Sequence, residues 1–281
     1  MIEIIGLRKK YGKREVIKSI NLKLEVDTYG LVGPNGAGKT TLIRMLGGII
    51  PSNGGKITNS VASGIIGYLP QKFGCFPELT LYEQMEYFAC LKNVPVSKHQ
   101  EEIMKVLKIV NMEDRKNEKC RKLSGGMVRR AGIAQALLGE PVILLLDEPT
   151  VGLDPEERNN FNNIIRRLEG KTTILLSTHL IEDIKYLCQK LIVMEEGEIL
   201  TVQDAQEIAK AANGRVFQIE ESKIEQLPEP YYVERYFTER DKKYARVLLF
   251  GENSDIAGGQ QCEPDIEDGY LYFLKGINHH E

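Results

Sequence analysis

The chain has 281 residues, 42% hydrophobic and 27% charged, ordinary globular values that exclude a disordered or fibrous chain and leave room for one large domain plus a small appendage. Its formal net charge of −3 removes any whole-chain electrostatic case for nucleic acid. The most apolar run, VILLL from Val142 to Leu146, is far short of the roughly 20 residues that cross a bilayer, and the opening MIEIIGLRKKYG lacks the pattern of a secretion signal. Cys75, Cys90, Cys120, Cys188 and Cys262 are scattered without metal-ligand spacing and read as reduced thiols.

Residues 1 to about 75 read as short strands punctuated by glycine (MIEIIGL, IKSINLKLEV, TYGLVG, GIIGYLP), with one helix starting after Lys39. From about 76 to 122 the pattern turns helical. Thr80 with Glu83, and Ser97 with Gln100, have the spacing of capping boxes that open two amphipathic helices. After Ser124 a helix leads into the buried run VILLLDEP, then the polar helix PEERNNFNNIIRRLEG, the strand TTILLST, another helix and a strand pair at KLIVMEEGEIL. Strand alternating with helix predicts a parallel sheet covered on both faces. Beyond about residue 205, YYVERYF and YARVLLF flank the polar turn TERDKK, and EDGYLYFLKG follows, which reads as a small β-rich appendage ending in a helix.

Between TYGLVG and TTLIRMLGG lies GPNGAGKT, which fits G-x-x-x-x-G-K-[ST] in the strand-to-helix context the mechanism requires. Gly33, Gly36 and Gly38 let the backbone point N–H groups at phosphate oxygens, with Pro34, Asn35, Ala37 and Thr41 completing the loop and the helix N-terminus adding partial positive charge. Lys39 is positioned for β and γ phosphates, and Thr40 for Mg²⁺. VILLLDEPT is an apolar strand ending in Asp147 and Glu148. Two adjacent carboxylates beside a phosphate loop divide the work, Asp147 holding Mg²⁺ through its water shell and Glu148 orienting or deprotonating the attacking water; an acidic strand end is the bland alternative.

With LSGGM at Leu123 to Met127, residues 1 to about 205 resemble the ATP-binding cassette (ABC) ATPases. Further family elements stand in order: KKYG with Tyr11, like the aromatic that stacks on adenine; YLPQ with Gln71, like the glutamine loop; GLDP with Asp154, like the D-loop; and STH with His179, like the switch histidine. The fold the resemblance implies is α/β, a P-loop NTPase with a mixed ABC-type sheet, a helical subdomain inserted over about 76–135, and a small α+β appendage over 206–281. It also implies that Ser124, Gly125 and Gly126 close on the γ-phosphate held by a second cassette, and that Gln71 and His179 join Glu148 in catalysis, Gln71 also lying at the metal. ATP and Mg²⁺ are the implied ligands. Met127 departs from the glutamine common after LSGG, and the segment between GGKI and GYLPQ is short; LSGGM and GIAQALL are similar to cassettes of bacterial exporters.

The expected function is the ATP-hydrolysing subunit of a transporter, peripheral on the cytoplasmic face, docked to separate integral membrane permease subunits near Gln71 and the helical lobe. Phe73, Phe76 and Leu79 either line that groove or pack in the core. A soluble ABC ATPase acting on ribosomes or DNA is the alternative, disfavoured by a single cassette and no heptad array. The basic residues Lys116, Lys119, Arg121, Lys122, Arg129 and Arg130 read as a hydrated surface rather than a nucleic-acid site, and His279 and His280 as solvated.

Overall fold

The computed structural model describes residues 1–59, 65–181, 184–185, 187–251 and 258–276. It divides into two compact units: Met1–Lys190 with Met194–Ile199, and Leu191–Val193 with Leu200–Glu281.

The first unit opens with β1 (Ile2–Tyr11) and β2 (Arg14–Leu24), which alternate buried and exposed side chains as half-covered strands do. β3 (Thr28–Val32), buried throughout, leads into α1 (Lys39–Leu46). β4 (Gly54–Asn59) pairs with β1, giving an antiparallel sheet of order β2-β1-β4. β5 (Ile66–Leu69) is followed by α2 (Leu81–Leu91), α3 (His99–Ile109) and α4 (Gly125–Leu137), the predicted helical insertion. Then come β6 (Ile143–Asp147), α5 (Pro155–Leu168) and β7 (Thr173–Thr178), with β8 (Lys190–Glu195) and β9 (Glu198–Asp204) completing a six-stranded sheet of order β5-β6-β7-β3-β8-β9. β5, β6, β7 and β3 run parallel, so their carboxyl ends emerge on one edge, where α/β sheets place ligands. β6 and β7 are buried at every position, which is why they read as unbroken apolar runs rather than alternating ones.

Helix starts follow local chemistry. Thr80 Oγ1 accepts from Glu83 N at 3.2 Å while Glu83 Oε2 accepts from Thr80 N at 2.6 Å, the expected capping box of α2. The Ser97–Gln100 box does not form: Val96–Lys98 is a 3₁₀ turn closed by Lys98 N to Pro95 O, and α3 begins at His99 without a side-chain cap. His99 is buried with Nε2 2.9 Å from Val94 O, which draws the helix start past Ser97. The helix expected after His179 lies partly outside the described residues, as do the shortened segment before GYLPQ and His279 and His280.

The second unit contains α6 (Ala205–Lys210), β10 (Val216–Glu220), β11 (Tyr231–Glu239), β12 (Lys242–Leu249), β13 (Gln260–Gln261) and α7 (Ile266–Gly276). The strands form an antiparallel sheet of order β11-β12-β10-β13. Arg240 and Asp241, both at positive φ, make the two-residue turn between β11 and β12 that the polar TERDKK sequence marks. One sheet face buries Phe217, Ile219, Ala245, Val247 and Leu249, and the other buries Val216 and Leu248 against Ala212 and Leu271. Among the described residues, no helix of either unit is long and apolar enough to cross a membrane.

Candidate functional site

The loop from Gly33 to Gly38 joins buried β3 to α1. Gly36 has φ 89° and Gly38 φ 103°, the left-handed region, and a Cβ on Gly38 would lie 2.9 Å from Val16 O and Ile17 Cδ1; only glycine serves there. Lys39 folds back over the loop and donates from Nζ to Gly33 O at 2.6 Å and Pro34 O at 3.0 Å. Burial lowers its ammonium pKa below the usual value, against the pull of the Glu148 and Asp147 carboxylates. The loop faces a cleft of about 350 Å³ that brings Tyr11, Asn35, Gly36, Gly38, Lys39, Thr40 and Thr41 together with Gln71 and Glu148. Tyr11 is exposed, with Lys9 Nζ 5.2 Å above its ring.

At the end of β6, parallel register sets Asp147 beside Ser177. Asp147 is fully buried; its Oδ1 accepts from Thr40 Oγ1 and from Ser177 Oγ, both at 2.9 Å. Its Oδ2 is buried and has no hydrogen-bonding partner among the described residues. A hard carboxylate oxygen left open beside a threonine hydroxyl suits Mg²⁺, which takes one or two protein oxygens and completes its octahedron with water and phosphate. Among the described residues, no group of three or more His, Cys, Asp or Glu side chains could hold a metal ion.

Glu148 has a φ of 47°, costly for a residue with a Cβ by about 1–3 kcal/mol, and is nearly buried. Its carboxylate is bracketed: Gln71 Nε2 donates to Oε2 at 3.3 Å, and His179 Nδ1 lies 3.3 Å from Oε1. The structure therefore gathers the phosphate loop, both acidic residues, Gln71 and His179 at one strand edge.

Ser124, Gly125, Gly126 and Asp154 lie outside the lining of that cleft. Ser124 caps α4, accepting from Met127 N at 3.2 Å, while Ser124 N points at Met127 Sδ at 3.4 Å; the methionine stands where a glutamine would close a capping box. A Cβ on Gly125 would meet nothing within 4 Å, whereas one on Gly126 would lie 2.5 Å from Glu157 Cδ. Asp154 caps α5 by accepting from Glu157 N at 2.8 Å.

A family model described as ABC transporter matches residues 17–151. The linearmycin resistance ATP-binding protein LnrL of Bacillus subtilis (strain 168) is 31% identical over 225 residues, 76% of this chain and 72% of that one. The chain belongs to the ABC transporter ATP-binding proteins. The Nod factor export ATP-binding protein I of Rhizobium sp. (strain N33) is 36% identical over 211 residues, 71% of this chain and 69% of that one. Among solved structures, the dimeric structure of the bacterial ABC transporter cassette MJ0796 superposes with a TM-score of 0.64 at 25% identity, covering 73% of this chain and 98% of that one. As a member of this family the cassette is an ATPase with an α/β P-loop NTPase fold.

Two residues of the cassette site escape the sequence reading. Ser177 joins Asp147 to the main chain of Glu148, whose N–H donates to Ser177 Oγ at 3.1 Å; it stands inside STH, where only the histidine attracts notice. Arg129 corrects an expectation. Instead of joining a hydrated basic surface, it is buried and donates to five backbone carbonyls: Pro149 from Nε at 2.8 Å, Pro70 and Gln71 from Nη1 at 2.9 and 3.0 Å, Asp147 and Glu148 from Nη2 at 3.2 and 2.6 Å. Burial lowers its pKa to about 10, which leaves it charged at neutral pH. Arg130 pairs with Glu157 at 3.0 Å and is also largely covered. Of the three aromatic or apolar groove candidates, Phe76 is exposed while Phe73 and Leu79 are half-buried.

Proposed function

We propose that the chain is the ATP-hydrolysing subunit of an exporter-type transporter, and that Glu148 is its general base. The observation that carries this is the Glu148 carboxylate, held between Gln71 and His179 beside the phosphate loop. Lys39 releases its own loop carbonyls to grip the β and γ phosphates, with Tyr11 stacking on the adenine. Thr40 and Asp147, assisted by Gln71, would hold Mg²⁺, which when bound would neutralise charge on the phosphates. Glu148 takes a proton from the attacking water as the water oxygen bonds to the γ-phosphorus, and the bond to the β-phosphate oxygen breaks to leave ADP. His179, just after β7, steadies the γ-phosphate.

Ser124, Gly125 and Gly126 face a second cassette's nucleotide, which their place outside this chain's own cleft supports; Asp154 lies at the same seam. ATP then acts as an adhesive between two cassettes. Moving such a pair from 1% to 99% closed needs about 5.5 kcal/mol of differential binding. Two γ-phosphates gripped by charge-assisted contacts of about 1.5–3 kcal/mol each are the right size. The relatives' names, a resistance protein and an export protein, support coupling to transport through membrane permease subunits at the cytoplasmic face, rather than action on ribosomes or DNA. The ATPase domain spans 1–205 and residues 206–281 form the accessory domain.

The test is Glu148→Gln in the full chain. ATP binding should persist while hydrolysis falls on the order of 10²-fold or more. Wild-type turnover in that variant would assign the base to another residue.

A further inference from the structure

Glu148 needs its main chain held in a conformation that β6 alone does not provide, and the hold comes from two sides. Its N–H is taken by Ser177, from the neighbouring strand, and its carbonyl by Arg129, from α4. The same guanidinium takes the carbonyls of Pro70 and Gln71, so a single side chain fixes the backbone on both sides of the Gln71–Glu148 contact. All five of its N–H groups are engaged, and every acceptor is main chain, so the staple sets positions without touching the cleft's ligands. α4, which carries Arg129, is also the helix that begins at Ser124.

We infer that Arg129 is a positioning residue that sets the Gln71–Glu148 pair in its hydrolytic geometry and ties that pair to the helix capped by Ser124. This rests on the reading of Glu148 as the base. Contact made at Ser124 by a second cassette is transmitted along fewer than two turns of α4 to the staple, and from there to the residues that orient water on this chain's own nucleotide.

The experiment is a double-mutant cycle in the full-length chain with Arg129→Lys, Glu148→Gln and the two combined, reading kcat, KM for ATP and melting temperature. Lysine keeps the charge but offers no planar fork to five carbonyls. The expected result is a kcat lower by about 10- to 100-fold with KM near wild type and a melting temperature lowered by the carbonyls that lysine leaves unsatisfied, unfolding remaining cooperative. The combined variant should be no slower than Glu148→Gln alone, because the staple acts through Glu148. Unchanged kcat in Arg129→Lys, or losses that multiply in the combined variant, would overturn the inference. If Arg129→Lys does not fold, Arg129→Gln takes its place under the same criteria, and failure of both to fold would mark a purely structural residue and also overturn it. The underlying reading fails separately, by wild-type turnover in Glu148→Gln.

Discussion

In the cassette, buried Asp147 engages Thr40 and Ser177 through one oxygen and leaves the other without a partner. In the carboxyl-terminal unit, the largely covered Arg246 sits 2.9 Å from Glu234 Oε2, an oxygen that also makes no hydrogen bond among the described residues, and 2.6 Å from Asp268 Oδ2, and Asp268 accepts in addition from Asp265 N at 2.7 Å. Burial raises the Glu234 carboxyl to about 8, helped by its hydrogen bond to Asp268 and by the charge of Asp268. Burial also pushes on Asp268, but its hydrogen bonds from Arg246 and Asp265 outweigh it and hold the carboxyl below the usual range. The contrast separates two uses of interior charge. Glu234 and Asp268 are answered by a guanidinium of their own unit, whereas the open oxygen of Asp147 stands beside the phosphate-loop residue Thr40, where a ligand would answer it.

That contrast can be broken at several points. The largest effect is expected from Arg246→Ala, which leaves Glu234 and Asp268 facing each other and should destabilise the second unit by about 3–5 kcal/mol, read by denaturant unfolding. A loss under about 1 kcal/mol would mean that the three groups behave as solvent-screened surface charges. Asp147→Asn should do the reverse: melting temperature at or above wild type, with Mg²⁺-dependent hydrolysis reduced on the order of 10²-fold. A variant that melted far lower but still hydrolysed would make Asp147 a structural charge after all.

The smallest effect is a slope. Glu234 keeps its proton to about pH 8 when folded but only to about 4.5 when unfolded, so its contribution to stability is whole below pH 4.5 and drains away as pH rises through 8. Wild type should lose stability relative to Glu234→Gln as pH rises from about 4.5 to about 8, with the difference constant below that window. Parallel slopes in the two proteins would remove Glu234 as their source.

What sequence could show tracked how locally each feature is built. The phosphate loop is nine consecutive residues from Gly33 to Thr41, and the Thr80–Glu83 cap spans one turn, so spacing alone exposes both. Asp147 and Glu148 stand out because a wholly buried strand reads as an apolar run that must end somewhere polar. Arg129 gave no such signal. Its acceptors lie 18 to 20 and 58 to 59 residues away, and in the chain it is one more cation after Lys116, Lys119, Arg121 and Lys122. Ser97 misled for a related reason: capping spacing was present, but the 3₁₀ turn after Pro95 had already taken the residue into its own hydrogen-bonding pattern. The carboxyl-terminal cluster was equally silent, since Glu234, Arg246 and Asp268 come from β11, β12 and α7.

Glu157 has one more consequence. It lies so close to Gly126 that a Cβ there would displace its carboxylate, pairs with Arg130, and donates its own N–H to Asp154. The starts of α4 and α5, capped by Ser124 and Asp154, thereby meet at Glu157, whose carboxylate touches Arg130 and whose N–H touches Asp154. A load placed on either helix start has a direct path to the other through that one residue.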